Sequence, residues 1–342
     1  MPGSSTHIPY QLGITTGDPA GIGPEISLRA AQDSVVRGSC RLILFGDFEI
    51  LHTQAKALGL LFDFERISLG DLRAPLPEHA VVDIRADIQG IQLGKGSKAS
   101  GEAAARNIVA CAEACRGKLL QAMVTAPLNK ACLKAAGYPY PGHTEFLAHL
   151  TGVQTFAMAF LTERLKVVLA TIHLPLTAAI ERITTALIVE KLSILLTEFP
   201  RLGLPCGKVA VAGMNPHAGE NGLLGEEEAR IIEPAVVQSR ALFPNVEIMG
   251  PLPADTLFYR AANGEFDAVL ALFHDQGLSP IKLIGFGEAV NLTLGLPFVR
   301  TSVDHGTAFD IAGKGIARHQ SMVSAIRWAL RLSHADPGPR SR

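Results

Sequence analysis

The sequence predicts an α/β protein with two domains, each containing a mostly parallel sheet flanked by helices. Short apolar runs, rich in β-branched residues, alternate along the chain with longer stretches of helical periodicity. The short runs are apolar on both faces, which is typical of strands that helices cover on each side of a parallel sheet. The length of 342 residues is that of one large or two medium domains.

The individual elements follow from this periodicity. Five apolar runs are predicted to be strands, at residues 41–45, 121–125, 165–170, 208–212 and 267–272. Three stretches with apolar residues at helical spacing are predicted to be helices, at residues 101–116, 180–199 and 226–242. A Gly-rich turn at residues 17–25 opens a further helix, in which Pro24 suits the first turn.

Composition excludes several classes of function. Lys and Arg (31) nearly balance Asp and Glu (32), so no excess of positive charge is available to neutralise a nucleic-acid backbone. There is no apolar run of about 18 residues that could span a membrane. The N-terminal residues lack the basic start and apolar core of a signal peptide. The five cysteines form no CxxC pair, so we expect reduced thiols in a cytoplasmic protein. Together these observations predict no nucleic-acid partner and no membrane partner.

Three of the predicted strands share one pattern, because each ends in a short loop that carries a histidine. These histidines are His173, His217 and His274. Ligands of open α/β sheets gather at the carboxyl ends of strands, so the three imidazoles are candidates to converge on one divalent metal and leave positions open for substrate oxygens. The spacing leaves an alternative open, in which each histidine only satisfies a carbonyl of its own loop.

A candidate anion site begins at Gly142, His143, Thr144 and Glu145. Thr144 is a candidate N-cap of the helix that follows, and the exposed N–H groups of that helix start favour an anion. Further candidates to bind phosphate lie in a Gly-rich stretch downstream, namely Lys282, Asn291 and Arg300. Taken singly, each of these is more typical of a solvated or structural residue.

Two Gly-rich segments bear on nucleotide binding. Residues 304–317, before the final helix, resemble the adenosine-binding loop of isopropylmalate and isocitrate dehydrogenases, which bind NAD(P) without a GxGxxG motif. The candidate cofactor contacts there are His305, Gly306, Thr307, Ala308, Asp310 and Gly313. In the second segment, residues 17–25, Gly21 and Gly23 could begin a GxGxxG motif. The third glycine would have to stand at position 26, which is Ile26, so a Rossmann pyrophosphate site is not expected. Whether that segment is a structural turn or binds a ligand stays open.

Longer motifs resemble those of the 4-hydroxythreonine-4-phosphate dehydrogenase family. They lie at residues 16–25, 142–146, 215–220, 250–256, 274–277 and 291–314. The match covers nearly the whole chain, from about Gly13 to Ala317. The resemblance implies an isopropylmalate-dehydrogenase-like fold with the active-site cleft between the domains. It implies a nucleotide-binding domain of residues 1–128 and 288–342, and a metal, substrate and dimerisation domain of residues 129–287.

The resemblance also implies a homodimer whose active site uses residues of both subunits. The family's ligands to one divalent metal (Zn, Mg, Co or Mn) match His173, His217 and His274. Its substrate contacts match His143, Thr144, Lys282, Asn291 and Arg300. The expected cofactor is NAD or NADP. Asp255 is a candidate general base from its place in a family motif, and a purely structural role for it stays equally open.

The implied activity is NAD(P)-dependent oxidation, with decarboxylation, of 4-phosphooxy-L-threonine to 3-amino-2-oxopropyl phosphate and CO2 in pyridoxal 5'-phosphate biosynthesis. Related dehydrogenases oxidise 4-phospho-D-threonate or D-erythronate, or a cis-dihydrodiol dicarboxylate, and the motifs do not separate these substrates. A non-catalytic metal- or nucleotide-binding protein is an alternative of another class. The intact set of histidines and the intact 305–313 loop argue against it.

Overall fold

The computed structural model describes residues 10–335. The expectation that the N-terminus lacks a signal peptide therefore concerns residues that lie almost wholly outside this range. Among the described residues, no helix has both the length and the apolar character that a membrane crossing requires.

The strands and helices alternate as the sequence predicts. The strands are β1 (Gln11–Thr15), β2 (Arg41–Gly46), β3 (Glu65–Ile67), β4 (His79–Asp83), β5 (Ala122–Thr125), β6 (Ala157–Leu161), β7 (Lys166–Leu169), β8 (Lys208–Ala212), β9 (Glu247–Leu252), β10 (Ala268–Ala271), β11 (Val290–Leu294) and β12 (Val299–Ser302). The α-helices are α1 (Gly23–Ala31), α2 (Ser34–Arg37), α3 (Phe48–Ala57), α4 (Lys98–Arg116), α5 (Lys130–Ala135), α6 (His143–Thr151), α7 (Leu176–Arg182), α8 (Thr185–Arg201), α9 (Glu233–Leu242), α10 (Ala254–Ala262), α11 (His274–Gly285) and α12 (Gln320–Ala335). A π-helical turn at Glu228–Ile232 precedes α9.

The chain divides into two compact units. Of the described residues, unit 1 contains 10–152 together with Pro297–His334, and unit 2 contains Val153–Leu296 and Ala335. In unit 1 the strand order is β3-β4-β2-β1-β5-β12 and every pair is parallel. The domain boundaries expected at 128 and 287 stay a prediction, and the compact units change over at 152 and 296.

Unit 2 has a mixed sheet, with the strand order β11-β6-β7-β10-β8-β9. Strand β6 pairs antiparallel with both β11 and β7, whereas β7, β10, β8 and β9 run parallel. The central strands are buried on both faces, and Val167, Val209 and Val269 are fully inaccessible to solvent. The predicted α/β class with mostly parallel sheets is confirmed.

Two predicted helices differ from the structure. The stretch 180–199 is not one helix, because α7 ends at Arg182 and α8 begins at Thr185. Thr184 adopts an extended backbone, and its hydroxyl accepts a hydrogen bond from the Leu187 N–H at 3.2 Å. This N-cap starts a new helix within a continuous apolar pattern. The stretch 226–242 begins with the π-helical turn before it becomes α9.

Candidate active site

The three predicted histidines follow three neighbouring strands of unit 2. Strand β10 lies between β7 and β8 and runs parallel to both, with Val269 level with Val167 and Ala210. The loops after these strands therefore leave the sheet at the same edge, and these loops carry His173, His274 and His217. The placement at strand ends predicted from the sequence is present in the structure.

His173 and His274 lie side by side. Their ring centroids are 5.7 Å apart, and both residues line a cavity of about 240 Å³ at the ends of β7 and β10. The two loops are joined through Thr171, whose N–H and hydroxyl donate to the Leu272 carbonyl at 3.1 and 2.7 Å. His173 has a left-handed backbone with φ 37°. The structure thus brings two of the three predicted ligands together.

Carboxylates lie beside Nδ1 in two of the three imidazoles, those of His274 and His217. His274 Nδ1 lies 2.7 Å from Asp275 Oδ1, and His217 Nδ1 lies 3.1 Å from Glu220 Oε2. A carboxylate on one ring nitrogen sets the tautomer and leaves Nε2 available as a ligand, an arrangement common among metal-binding histidines. The donor set therefore fits a divalent metal.

One chain does not assemble a complete set of ligands. Within residues 10–335, no group of three or more His, Cys, Asp or Glu side chains is arranged to hold a metal ion. His217 is exposed and belongs to a turn of its own after β8. Convergence of all three imidazoles within a single chain, which the spacing left open, is not seen.

Arg300 is the most deeply buried of the predicted substrate contacts. It lies on β12 and is 2% exposed, and its Nε and Nη2 atoms donate to Thr125 Oγ1 at 3.1 and 2.6 Å. Burial lowers the pKa of Arg300 to about 9, although the Glu145 carboxylate opposes this shift. The guanidinium thus remains charged at neutral pH, and a buried charge of this kind favours an anionic ligand.

The start of α6 adds to this anion site. The helix begins at His143 after Gly142, so Thr144 lies buried in its first turn and is not the N-cap that the sequence predicted. An extended Gly142 takes the cap position without a side-chain hydrogen bond. The N–H groups of the first turn are consequently not satisfied by the cap side chain, which suits an anion.

His143 is held neutral. Burial first, and then the charges of Arg300 and Lys130, lower the pKa of His143 well below its usual value. Its Nε2 is buried and has no hydrogen-bond partner among the described residues. A buried nitrogen without a partner is costly, so His143 Nε2 is a candidate to contact a polar atom of the substrate.

The remaining predicted contacts belong to unit 2. Lys282 is half-buried on α11. Asn291 lies on β11, and its Oδ1 is buried without a hydrogen-bond partner within the described range. The predicted substrate contacts are therefore divided between the two compact units. Asp255 is exposed in the first turn of α10, and its role as general base stays a prediction.

The predicted nucleotide loop precedes α12, as expected. Gly306, Asp310 and Gly313 are exposed along it, while Thr307 is buried. His305 Nε2 lies 2.9 Å from the Ser321 hydroxyl of α12. Ala308 and Gly313 have left-handed backbones, with φ 42° and 74°, so the loop turns sharply and exposes backbone to a ligand.

The segment 17–25, whose role the sequence left open, supports this loop. The Ile22 N–H donates to the Thr307 carbonyl at 3.0 Å, and a Cβ on Gly21 would lie 2.7 Å from that same oxygen. On α1, Arg29 donates to the Gly315 carbonyl at 2.9 Å, and Glu25 accepts from the N–H of Ala317 at 3.3 Å. The segment is thus a structural support for the predicted nucleotide loop.

Sequence reasoning missed Gln276, which joins two histidine loops. Its amide donates to the Gly213 carbonyl and accepts from the Leu272 N–H, both at 2.7 Å. Gln276 therefore connects the end of β8, before His217, with the end of β10, before His274. The only sequence signal was its place next to His274 and Asp275, since nothing local marks a residue that spans two strands.

Comparison with known proteins identifies the family. The family model described as pyridoxal phosphate biosynthetic protein PdxA matches residues 38–329. The chain belongs to this family. A D-threonate 4-phosphate dehydrogenase from Cupriavidus necator is 42% identical over 96% of this chain and 98% of that protein.

Solved structures agree with this family. A crystal structure of 4-hydroxythreonine-4-phosphate dehydrogenase from Klebsiella pneumoniae is 40% identical, with a TM-score of 0.86 over 95% of this chain and 99% of that one. A terephthalate 1,2-cis-dihydrodiol dehydrogenase from Burkholderia xenovorans is 27% identical, with a TM-score of 0.65 over 94% of this chain and 98% of that one. The family assignment that the motifs implied is confirmed.

Proposed function

We propose that this chain is a metal-dependent, NAD(P)-linked dehydrogenase that oxidises 4-phosphooxy-L-threonine. The products are 3-amino-2-oxopropyl phosphate and CO2, in pyridoxal 5'-phosphate biosynthesis. Membership of the family supports the dehydrogenase activity. The observation that carries the proposal is the placement of His173, His217 and His274 at the ends of three adjacent parallel strands.

The proposed site is completed in a homodimer. His274 and His217 each direct Nδ1 at a carboxylate, which leaves Nε2 to bind the metal, and a second copy supplies the ligand that one chain does not bring close. When bound, a divalent cation supplies Lewis acidity to the substrate hydroxyl and a nicotinamide nucleotide accepts the hydride. The loop 304–317, supported by α1, is the proposed contact for that nucleotide.

The protein's own residues bind and orient the substrate. Arg300 and the first turn of α6 bind the phosphate, and neutral His143 contributes a hydrogen bond through Nε2 without adding a third cation beside Arg300 and Lys130. Lys282 and Asn291 of unit 2 supply further polar contacts. Binding energy gained at the phosphate, away from the reacting carbon, helps to hold the hydroxyl in a reactive position. Asp255 is the proposed general base.

A second candidate substrate is 4-phospho-D-threonate, because the Cupriavidus necator relative carries that name at 42% identity. The two substrates share the phosphate and the secondary hydroxyl and differ at C2, where one has an amino group and the other a hydroxyl. A cis-dihydrodiol substrate is less favoured, because the terephthalate 1,2-cis-dihydrodiol dehydrogenase is 27% identical to this chain, against 42% for the Cupriavidus necator relative.

The first prediction compares these substrates in an assay of NADH and NADPH formation. We expect turnover with 4-phosphooxy-L-threonine, loss of turnover with a chelator, and recovery on adding Zn, Co, Mn or Mg. The chelator should act because the ligands proposed are neutral imidazoles, which bind divalent ions reversibly. A clear preference for 4-phospho-D-threonate would replace the substrate assignment, and full activity in metal-free protein would refute the metal dependence.

A further inference from the structure

The turn that carries His217 has a backbone that L-residues seldom adopt. From His217 to Asn221, five consecutive residues have φ between 44° and 81°. Only Gly219 among them is a glycine. For His217, Ala218 and Glu220 the left-handed conformation is unfavourable, because Cβ approaches the following carbonyl oxygen, whereas asparagine tolerates it better. Such a turn persists only where its surroundings impose it, and strained segments of this kind concentrate at functional sites.

A buried carboxylate lies at the base of this turn. Glu228 is 4% exposed, and its Oε1 accepts hydrogen bonds from the backbone N–H groups of Met214 and Asn215, both at 2.7 Å. Its Oε2 accepts from Asn215 Nδ2 at 2.9 Å. These are charge-assisted bonds to two of the three residues between the end of β8 and Pro216, so they fix the direction in which the chain leaves the strand.

The turn also folds closely around this carboxylate. A Cβ on Gly219 would lie 2.8 Å from Glu228 Oε2, and a Cβ on Gly213 would lie 2.9 Å from the Ala218 Cβ. Gln276 then connects the Gly213 carbonyl to β10. Asn215 Nδ2 also donates to Glu227 Oε2 at 2.7 Å. The segment before the His217 turn is therefore held by Glu228, which binds two backbone N–H groups as well as Asn215, with further hydrogen bonds to Glu227 and Gln276.

Glu228 is singled out from its neighbours by the local helix geometry. It opens the π-helical turn Glu228–Ile232, a form that is rare and is frequently found at functional sites. Of the three consecutive glutamates, Glu226 is exposed and Glu227 is half-buried, whereas Glu228 is buried. Glu228 is thus the one glutamate of the three that is placed in the interior, beneath the His217 turn.

We propose that Glu228 is a positioning residue for the metal site, acting by holding the left-handed turn that orients the His217 imidazole. Gln276 couples that turn to the loop of His274. The inference deepens the proposed function and rests on it, because it requires His217 to be a metal ligand. It assigns to Glu228 no contact with substrate, cofactor or metal.

The test measures metal binding separately from catalysis. Metal-free wild type, E228Q and the matched control E226Q are titrated with Zn²⁺ alone by calorimetry, without nucleotide or substrate. E228Q keeps the shape of the side chain but replaces one accepting oxygen with an NH2 group. That group cannot accept from the Met214 and Asn215 N–H groups or from Asn215 Nδ2. We expect Zn²⁺ affinity to fall about 10- to 100-fold in E228Q and to remain unchanged in E226Q, the range usual for residues that orient metal ligands. Amide hydrogen exchange should quicken in residues 213–222 of E228Q only.

The outcomes separate the inference from the proposed function. If wild type binds Zn²⁺ and E228Q binds it equally well, the role of Glu228 is refuted and the proposed function stands. If wild type binds neither Zn²⁺ nor Co²⁺ or Mn²⁺, the metal dependence falls and the inference with it. Should E228Q not fold, N215A takes its place, with E227Q as its control, since N215A removes the Nδ2 donor to Glu228 and Glu227 while leaving the two backbone bonds to Glu228. Unchanged affinity in N215A would then count against the proposal.

Discussion

Burial governs the electrostatics of the residues that form the candidate phosphate site. Arg300 lies in the interior beside Thr125, and its pKa is lowered to about 9 yet stays above neutral pH. His143, close to Arg300 and Lys130, has its pKa lowered well below the usual value. The site thus combines the positive charge of Arg300 with a neutral His143 imidazole. Arg300 attracts an anion, and His143 can hydrogen-bond to that anion without itself carrying a charge.

The second prediction concerns the pH dependence of stability at His143. Because the pKa of this histidine is lowered in the folded state, below about pH 6.5 the unfolded chain takes up a proton there while the folded protein does not. Stability from the neutral His143 is present above that pH and is lost as the pH falls towards the folded-state pKa. In H143Q this acid-side loss should be smaller.

The measurement is the free energy of unfolding in urea at about pH 8 and about pH 5, for wild type and H143Q. H149Q is the control, since His149 lies on the same helix and is exposed. An equally steep loss of stability at acid pH in H143Q and in wild type would contradict the prediction.

At the scale of elements, α1 and the turn before it support the predicted nucleotide loop. The backbone of Ile22 meets that of Thr307, and Arg29 and Glu25 bind the backbone of Gly315 and Ala317. Arg29 also donates to Glu25 at 3.0 Å, so the two side chains hold each other in place. A short helix thereby fixes a loop whose own backbone is partly left-handed.

The third prediction tests this support with G21A. A methyl group on Gly21 would lie 2.7 Å from the Thr307 oxygen and 3.0 Å from its Cβ, so the loop must shift. We expect a loss of stability of about 1–3 kcal/mol, as for other overpacked sites. The KM for NAD should rise several-fold, and kcat at saturating nucleotide should change less.

Its control is G38A. Gly38 has a negative φ of −76°, and an added Cβ would meet only the Ser34 oxygen at 3.5 Å. G38A should therefore leave the KM for NAD unchanged. If G21A and G38A gave the same kinetics, the close approach of Gly21 to Thr307 would have no functional consequence.

At the scale of the whole molecule, the arrangement of the histidines bears on assembly. His173 and His274 are neighbours in one chain, but among the described residues no third metal-binding side chain completes the group. The proposed function requires that a second copy of the chain supply the third imidazole. That requirement distinguishes a shared site from one confined to a single subunit.

The fourth prediction uses hybrid dimers of H217A and H274A, each of which should be inactive alone. If His217 and His274 of one site come from different subunits, a hybrid dimer contains one site with both histidines intact and one with neither. Co-expression with two purification tags should then restore about half of the wild-type activity per hybrid dimer, by this counting of sites across a two-fold interface.

The mixed preparation is compared with each variant dimer alone. If each site were confined to one chain, every subunit of the hybrid would lack either His217 or His274. The hybrid would then remain inactive. An inactive hybrid of normal stability would thus refute the shared site while leaving the metal ligands themselves untested by this assay.

Much of the fold followed from local patterns. The five predicted strands are present within a residue or so of their expected ends, because a run buried on both faces must be apolar throughout. The helix expected at residues 180–199 is interrupted at Thr184, whose hydroxyl caps the start of α8. The apolar periodicity continues through this residue, so the pattern alone did not reveal the break. The cap expected at Thr144 lies at Gly142 instead, because α6 begins two residues earlier than expected, at His143.

The sequence by itself determined the α/β class, the family and the occurrence of histidines after three strands. Hydrophobic periodicity and motif identity are properties of a residue and its near neighbours, so they can be read along the chain. Only the tertiary structure decided that β10 lies between β7 and β8, that Gly21 supports Thr307, and that Glu228 is the glutamate buried beneath the His217 turn. These depend on groups distant in sequence meeting in space, and the free energy of a buried charge is set by the partners it meets there.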